Sequence, residues 1–304
     1  MRDDARSLPI VDAHMHLWDL GRLYYSWLQD DPLPNNPAGD MSGIAHKSYG
    51  LEDYRADSAG WNVVDLVHVE CGLPPKDQLT ETDWLQGLAD SEGWPGAIVA
   101  GANLDRDDVE PLLEAQAARK NVRGIRQIVN WHADPLKTYN GANPLDNPAW
   151  TRGYALLGRH GLSFDLQLYA SQMKQAAALA AKHDDTPVMV NHAGMPTDRD
   201  AEGLDQWRAG MKALAALPHV SCKISGLACV DRQWTEASLV PFIRETIDIF
   251  GVERCMFASN FPVERVHGSF DDFYRAYGAA TTDFSDDERR ALFGDNAKRL
   301  YRIA

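Results

Sequence analysis

The sequence has no apolar run near the roughly 18 residues that a membrane-crossing helix needs, so no transmembrane helix is expected. Its first residues, Met1-Arg2-Asp3-Asp4-Ala5-Arg6-Ser7, hold no apolar signal-peptide region and run straight into strand-like sequence. Cysteine is scarce. Cys71, Cys222, Cys229 and Cys255 include no Cys-x-x-Cys pair, which argues against a disulfide framework or a zinc ribbon. Three of them fall in apolar runs, where buried free thiols are common, and a reducing cytoplasm is the expected compartment. Positive charge is short as well: 30 Lys and Arg against 44 Asp and Glu leave a net charge of −14. That balance argues against a nucleic-acid partner, whose affinity rests on clustered Lys and Arg, but not against a local basic pocket. A Gly-rich phosphate turn after an early strand is missing, and no short repeat or low-complexity tract interrupts the chain.

What remains is a chain of 304 residues, 44% hydrophobic and 24% charged, long enough for one large core. It opens on Pro9-Ile10-Val11-Asp12-Ala13-His14-Met15-His16-Leu17-Trp18-Asp19. Residues 10–13 read as a buried strand, and alternation along it predicts Asp12, His14 and His16 on one face, with Val11 and Met15 on the other. Residues 18–56 read as one long irregular stretch rich in Pro and Asn, whose Tyr24, Tyr25, Trp27 and Tyr49 either cover a ligand or pack the loop against the scaffold. Apolar strand-like runs then recur at 63–70, 97–102, 124–129, 162–169, 187–192, 220–226 and 255–260. Helical patterns fill gaps at 109–120, 150–160, 172–183, 203–217 and 239–250, and Ser285 with Glu288 forms a capping-box pattern. Eight buried strands alternating with helices predict a single-domain (β/α)8 TIM-like barrel over residues 1–304; a doubly wound open sheet is the alternative.

A barrel carries its active site at the carboxyl ends of its strands. There the sequence places His14 and His16, Glu70, Arg126, Trp131, Gln167, His192, Lys223 and Asn260. Buried charges cost several kcal/mol unless paired or liganded, so their convergence on one end predicts a small-molecule site. Three histidines and Glu70 can hold a divalent metal of the zinc type with an open position. Arg126 and Lys223 can receive a substrate carboxylate, with Trp131 and Gln167 as further substrate contacts.

The segments Asp12-Ala13-His14-Met15-His16-Leu17-Trp18, Asn191-His192-Ala193-Gly194, Lys223-Ile224-Ser225-Gly226-Leu227 and Ser259-Asn260-Phe261-Pro262-Val263 resemble the amidohydrolase superfamily. More narrowly they are similar to its amidohydrolase-related branch, which includes sugar-acid lactonases and the 2-pyrone-4,6-dicarboxylate lactonase. The ending Gly294-Asp295-Asn296-Ala297-Lys298-Arg299-Leu300-Tyr301 carries the same resemblance. It implies that His14, His16 and His192 bind a metal or, in metal-independent members, contact the lactone carbonyl. It also implies that Glu70 assists a metal and that Arg126 and Lys223 suit an acidic substrate. One position departs: Asn260 stands where the superfamily usually has an aspartate that handles the proton of the attacking water. An amide cannot ionise, so His192 is the first substitute base, Glu70 the second and Asp165 the third. The resulting expectation is a hydrolase that opens a carboxylated or polyhydroxylated lactone. A metal-dependent decarboxylase of an aromatic or muconate-like acid is the second reading. A ligand-binding relative that has lost catalysis is the third. The partner is a small molecule, with no membrane or nucleic acid, and a homo-oligomer is compatible with the sequence.

Overall fold

The computed structural model of the protein describes residues 5–304; residues 1–4, part of the opening segment read above for a signal-peptide region, lie outside them. Eight strands form one parallel sheet in sequence order: β1 (Ile10–Met15), β2 (Val63–Val69), β3 (Ala97–Gly101), β4 (Val122–Arg126), β5 (Ser163–Leu166), β6 (Val188–Val190), β7 (Val220–Ile224) and β8 (Cys255–Phe257). The seam is drawn together just past the strand ends. The Asn260 N–H donates to the His14 carbonyl and the His16 N–H to the Phe261 carbonyl, both at 2.7 Å. The fold is therefore the expected (β/α)8 barrel.

Small and branched side chains fill its interior. Val11, Ala13, Val67, Val69, Ala97 and Val99 pack with Met189 and Met256, and Tyr301 from the last helix, Asn296–Leu300 with its following turn, joins them. Gly294 allows that ending to dock, since a Cβ there would lie 2.4 Å from the Pro9 carbonyl oxygen. A larger cluster between strands and helices, including Trp150, Trp207 and Phe257, forms the second layer.

Helices appear where periodicity was seen, at Val109–Ala117, Pro148–Tyr154, Met173–Ala180, Ala201–Ala215 and Glu236–Phe250, and the Ser285–Glu288 capping box opens Asp286–Arg290. Two long helices lie outside that pattern. Gln78–Glu92 buries Gln78, Glu81 and Thr82 beside Leu85, so its inward face is mostly polar and shows no apolar period. Phe270–Ala280 is the other. The stretch 18–56 is not wholly irregular either: Leu51–Asp57 is helical, with the Asp53 carboxylate accepting from the Gly50 N–H at 2.8 Å.

The first strand departs from simple alternation. Its register against β2 slips between Asp12 and Met15. Val11 and Ala13 point into the barrel, whereas the Asp12 carboxylate turns to the Tyr54 hydroxyl and to Ser259. After the slip His16 lines the mouth and His14 lies against Arg126 and His192 without lining the cavity, while Met15 and Leu17 join the outer layer. Asp12 therefore does not share a face with the histidines. An irregularity of this kind re-aims a side chain beside an active site, and the His14 N–H donating to Asp12 Oδ1 at 3.3 Å fits that turn.

Candidate active site

The barrel mouth holds a cavity of about 400 Å³, within the range of small-molecule sites. His16, Arg126, Gln167, His192 and Asn260 line it from the strand ends. The segment after β1 adds Trp27, Asn35 and Asn36, and the segment after β4 adds Thr138, Tyr139 and Asn140. Of the four aromatics expected to cover the site, Trp27 does so. Tyr24 is exposed, and Tyr25 and Tyr49 are buried, bonding Glu81 and Asp57.

His16 is fixed by its own strand pair. Its Nδ1 lies 2.7 Å from the Val69 carbonyl, so Nδ1 carries the proton and the Nε2 lone pair remains available. His192 holds Ser225 Oγ at 3.0 Å through Nδ1. Gly226 lets the next turn press against that ring, because a Cβ there would stand 2.5 Å from His192 Nδ1. The His14 ring sits 5.0 Å from His16 and 4.6 Å from His192, centroid to centroid. Burial holds all three imidazoles neutral, with neighbouring cations adding to the effect: His14 and His192 titrate well below the usual range and His16 is pushed down to about 3.

Arg126 spans the floor. Nε donates to Glu70 Oε1 at 2.6 Å, Nη2 to the Glu70 backbone carbonyl at 2.5 Å, and Nη1 to Gln167 Oε1 at 3.0 Å. Nη1 also faces His14 Nε2 at 3.4 Å. The other Glu70 oxygen accepts the Gly72 N–H at 2.6 Å. Glu70 is thus consumed in holding Arg126 and the turn after β2, an unsuitable state for a metal ligand or a general base. Lys223 is fully buried beneath the site, ion-paired with Asp165 and 4.8 Å above the Tyr301 ring. Asp165 also accepts from Tyr301 and Asn191, so neither the ammonium nor this third candidate base is free for a ligand. The expectation that Lys223 meets a substrate carboxylate is corrected by that pairing. Trp131 does not line the cavity either, and its backbone N–H is held by Gln172.

The donor set does not fit a resident divalent ion at His14, His16, His192 and Glu70. Glu70 is spoken for, Asn260 supplies no carboxylate, and a guanidinium N–H faces His14 Nε2. Among the described residues, the one group of three possible ligand atoms within 4.8 Å of each other is His68, Cys71 and Glu81, behind His16. There the Leu17 N–H donates to His68 Nδ1 at 3.1 Å, which puts the ring proton on Nε2, the atom that would have to ligate.

Sequence reasoning missed Tyr139, Asn140 and Cys229, which line the cavity, and Glu264 behind Asn260. Loop residues of this kind carry no periodic signal; the available hint was the length of the segment after β4.

A family model described as Amidohydrolase matches residues 11–303. The uncharacterized protein y4mH of Sinorhizobium fredii (strain NBRC 101917 / NGR234) is 44% identical over 297 residues, 97% of this chain and 99% of that protein. An L-fucono-1,5-lactonase of Burkholderia multivorans (strain ATCC 17616 / 249) is 27% identical over 310 residues, 96% of each chain. A crystal structure of a Burkholderia multivorans amidohydrolase with bound zinc matches with a TM-score of 0.79 at 26% identity, covering 97% of this chain and 100% of that one.

Proposed function

The chain belongs to the amidohydrolase family, and from that premise we propose that it hydrolyses a small, polyhydroxylated, uncharged lactone without a resident metal. The observation that carries this reading is the pairing of charge at the mouth. Arg126 is matched by Glu70 and Lys223 by Asp165, so neither of these two cations stands unpaired to receive a substrate carboxylate. The walls instead carry carboxamides, those of Asn35, Asn36, Gln167 and Asn260, together with Tyr139, while the Asn140 NH2 and the Thr138 hydroxyl are held by backbone carbonyls. Such groups donate and accept hydrogen bonds and suit a ring bearing hydroxyls. The relative named L-fucono-1,5-lactonase agrees with that class.

In the reaction, Asn260 holds a water beside the ester carbonyl and His192 takes its proton. The oxygen adds to the carbonyl carbon. Four of the five guanidinium N–H groups of Arg126 are committed, and the fifth, on Nη2, is available to the developing oxyanion. Collapse breaks the ring C–O bond, and the departing alkoxide recovers the proton from His192. A histidine so far below the usual range is a weak base in the empty cavity. The oxyanion forming beside it supplies the negative partner that the imidazolium lacks.

The test is a panel of hydroxylated and carboxylated lactones followed by acid release, since the opened hydroxy acid ionises near neutrality. Hydroxylated rings should be preferred by about 10-fold or more in kcat/KM. No turnover of any lactone defeats the proposal, and carbon dioxide release from aromatic acids would put the decarboxylase reading in its place.

A further inference from the structure

Glu264 is a buried carboxylate whose partners are all hydrogen-bond donors. It is 1% exposed, in the short helical turn Val263–Val266 that follows β8. Oε2 accepts the Gly226 N–H and Oε1 the Ala228 N–H, both at 2.8 Å. The Asn260 side chain is its third partner. No cation is among the groups acting on it.

Burial pushes Glu264 up to about 7; above that pH the carboxylate can only accept, so the Asn260 amide must meet it with its NH2 end. The same NH2 group reaches Cys229 Sγ at 3.7 Å. The carbonyl end is then the one left for the cavity, which Asn260 lines. The turn held by the other two bonds is the turn whose Gly226 backs onto the His192 ring.

We propose that Glu264 is a positioning residue: it locks the Asn260 amide with its carbonyl oxygen toward the cavity, and it holds the 226–228 turn behind His192. Asn260 thereby presents the cavity with a fixed acceptor, the part of an aspartate's role that an amide can keep. A glutamine at 264 has one acceptor and one donor for three incoming donors, so one N–H must face an NH2 group. This inference rests on Asn260 holding the water of the proposed lactonase reaction, and it is therefore tested with and without turnover.

Glu264→Gln should lower kcat by about 30-fold or more while KM stays within about 3-fold, as expected for a misplaced water rather than a lost binding contact. In an Asn260→Ala background the same change should cost less than about 3-fold, because the amide it orients is gone. Equal losses in both backgrounds overturn the proposal. The readout without turnover is NMR of protein labelled with 15N-asparagine, the Asn260 NH2 pair being identified by its absence in Asn260→Asp. Glu264→Gln should shift that pair and speed its solvent exchange; an unmoved pair overturns the proposal whatever the substrate. Should the glutamine variant not fold, Glu264→Asp withdraws the charge by one methylene and is read the same way. A kcat loss with a shifted Asn260 pair is expected, and kcat and signal both at wild-type values would overturn it.

Discussion

Arg126 grips Glu70 twice, at the carboxylate through Nε and at the backbone carbonyl through Nη2, and so ties the guanidinium to the end of β2. Both side chains are nearly inaccessible, at 4% and 7%. Removing one partner of a buried pair typically costs about 3–5 kcal/mol, because the other charge is left without a counterion. Glu70→Gln should therefore lower both the urea midpoint and kcat/KM, the latter by about 100-fold. The pH–rate profile separates the roles. A positioning partner leaves the acidic limb in place, whereas loss of a general base abolishes it. Disappearance of that limb in Glu70→Gln would return Glu70 to the role of base.

Asn260→Asp should lower activity. The new carboxylate would stand against Glu264, another buried carboxylate with no cation among the groups acting on it. Two such carboxylates cannot both ionise at low cost, so one stays protonated and the water loses its fixed acceptor. A fall in kcat of about 10-fold at neutral pH is expected. A rise would mean that the natural chain is a binding protein whose catalysis the aspartate restores.

Much of this site was legible because strand order and strand ends are local features. Buried runs ending in His16, Arg126, Gln167, His192 and Asn260 each carry their own signal, and the barrel brings them together. What was hidden depended on pairings between distant segments. Nothing near Lys223 in sequence says that Asp165 and Tyr301 will absorb its charge, 58 and 78 positions away respectively. The face of Asp12 turned on a register slip of β1 against β2, which alternation alone cannot foresee. Glu264 belongs to no motif that singles it out, and the N–H groups it accepts, those of Gly226 and Ala228, lie 38 and 36 positions away.

Chelation should leave the enzyme working. With Glu70 engaged and a guanidinium N–H facing His14 Nε2, prolonged dialysis against EDTA is expected to keep kcat/KM within about two-fold. Added zinc should not raise it. A loss of about 10-fold or more that zinc reverses would show that the histidines gather around an ion after all.

Stability should peak near pH 6.5, because two sets of buried groups pull in opposite directions. His14, His68 and His192 titrate well below 6.5 in the folded chain and His16 at about 3. Below 6.5 the unfolded chain binds protons on these four that the folded chain refuses, so stability is lost as pH falls. Burial raises Glu81 to about 8 and Glu264 to about 7, from 4.5, and Asp12 upward from 3.8. These acids hold protons in the folded chain that the unfolded chain has released, so they remove stability as pH rises. Between 4.5 and 6.5 the histidines prevail, four against three, with each net proton worth about 1.4 kcal/mol per pH unit. Above 6.5 their contribution is complete and the acids act alone, through about 7 and then about 8. Urea midpoints at about pH 5, 6.5 and 8.5 should rise and then fall, and Glu81→Gln should flatten the descending limb. Midpoints that climb steadily to the alkaline end would mean that Glu81 and Glu264 ionise as easily in the folded chain as in water.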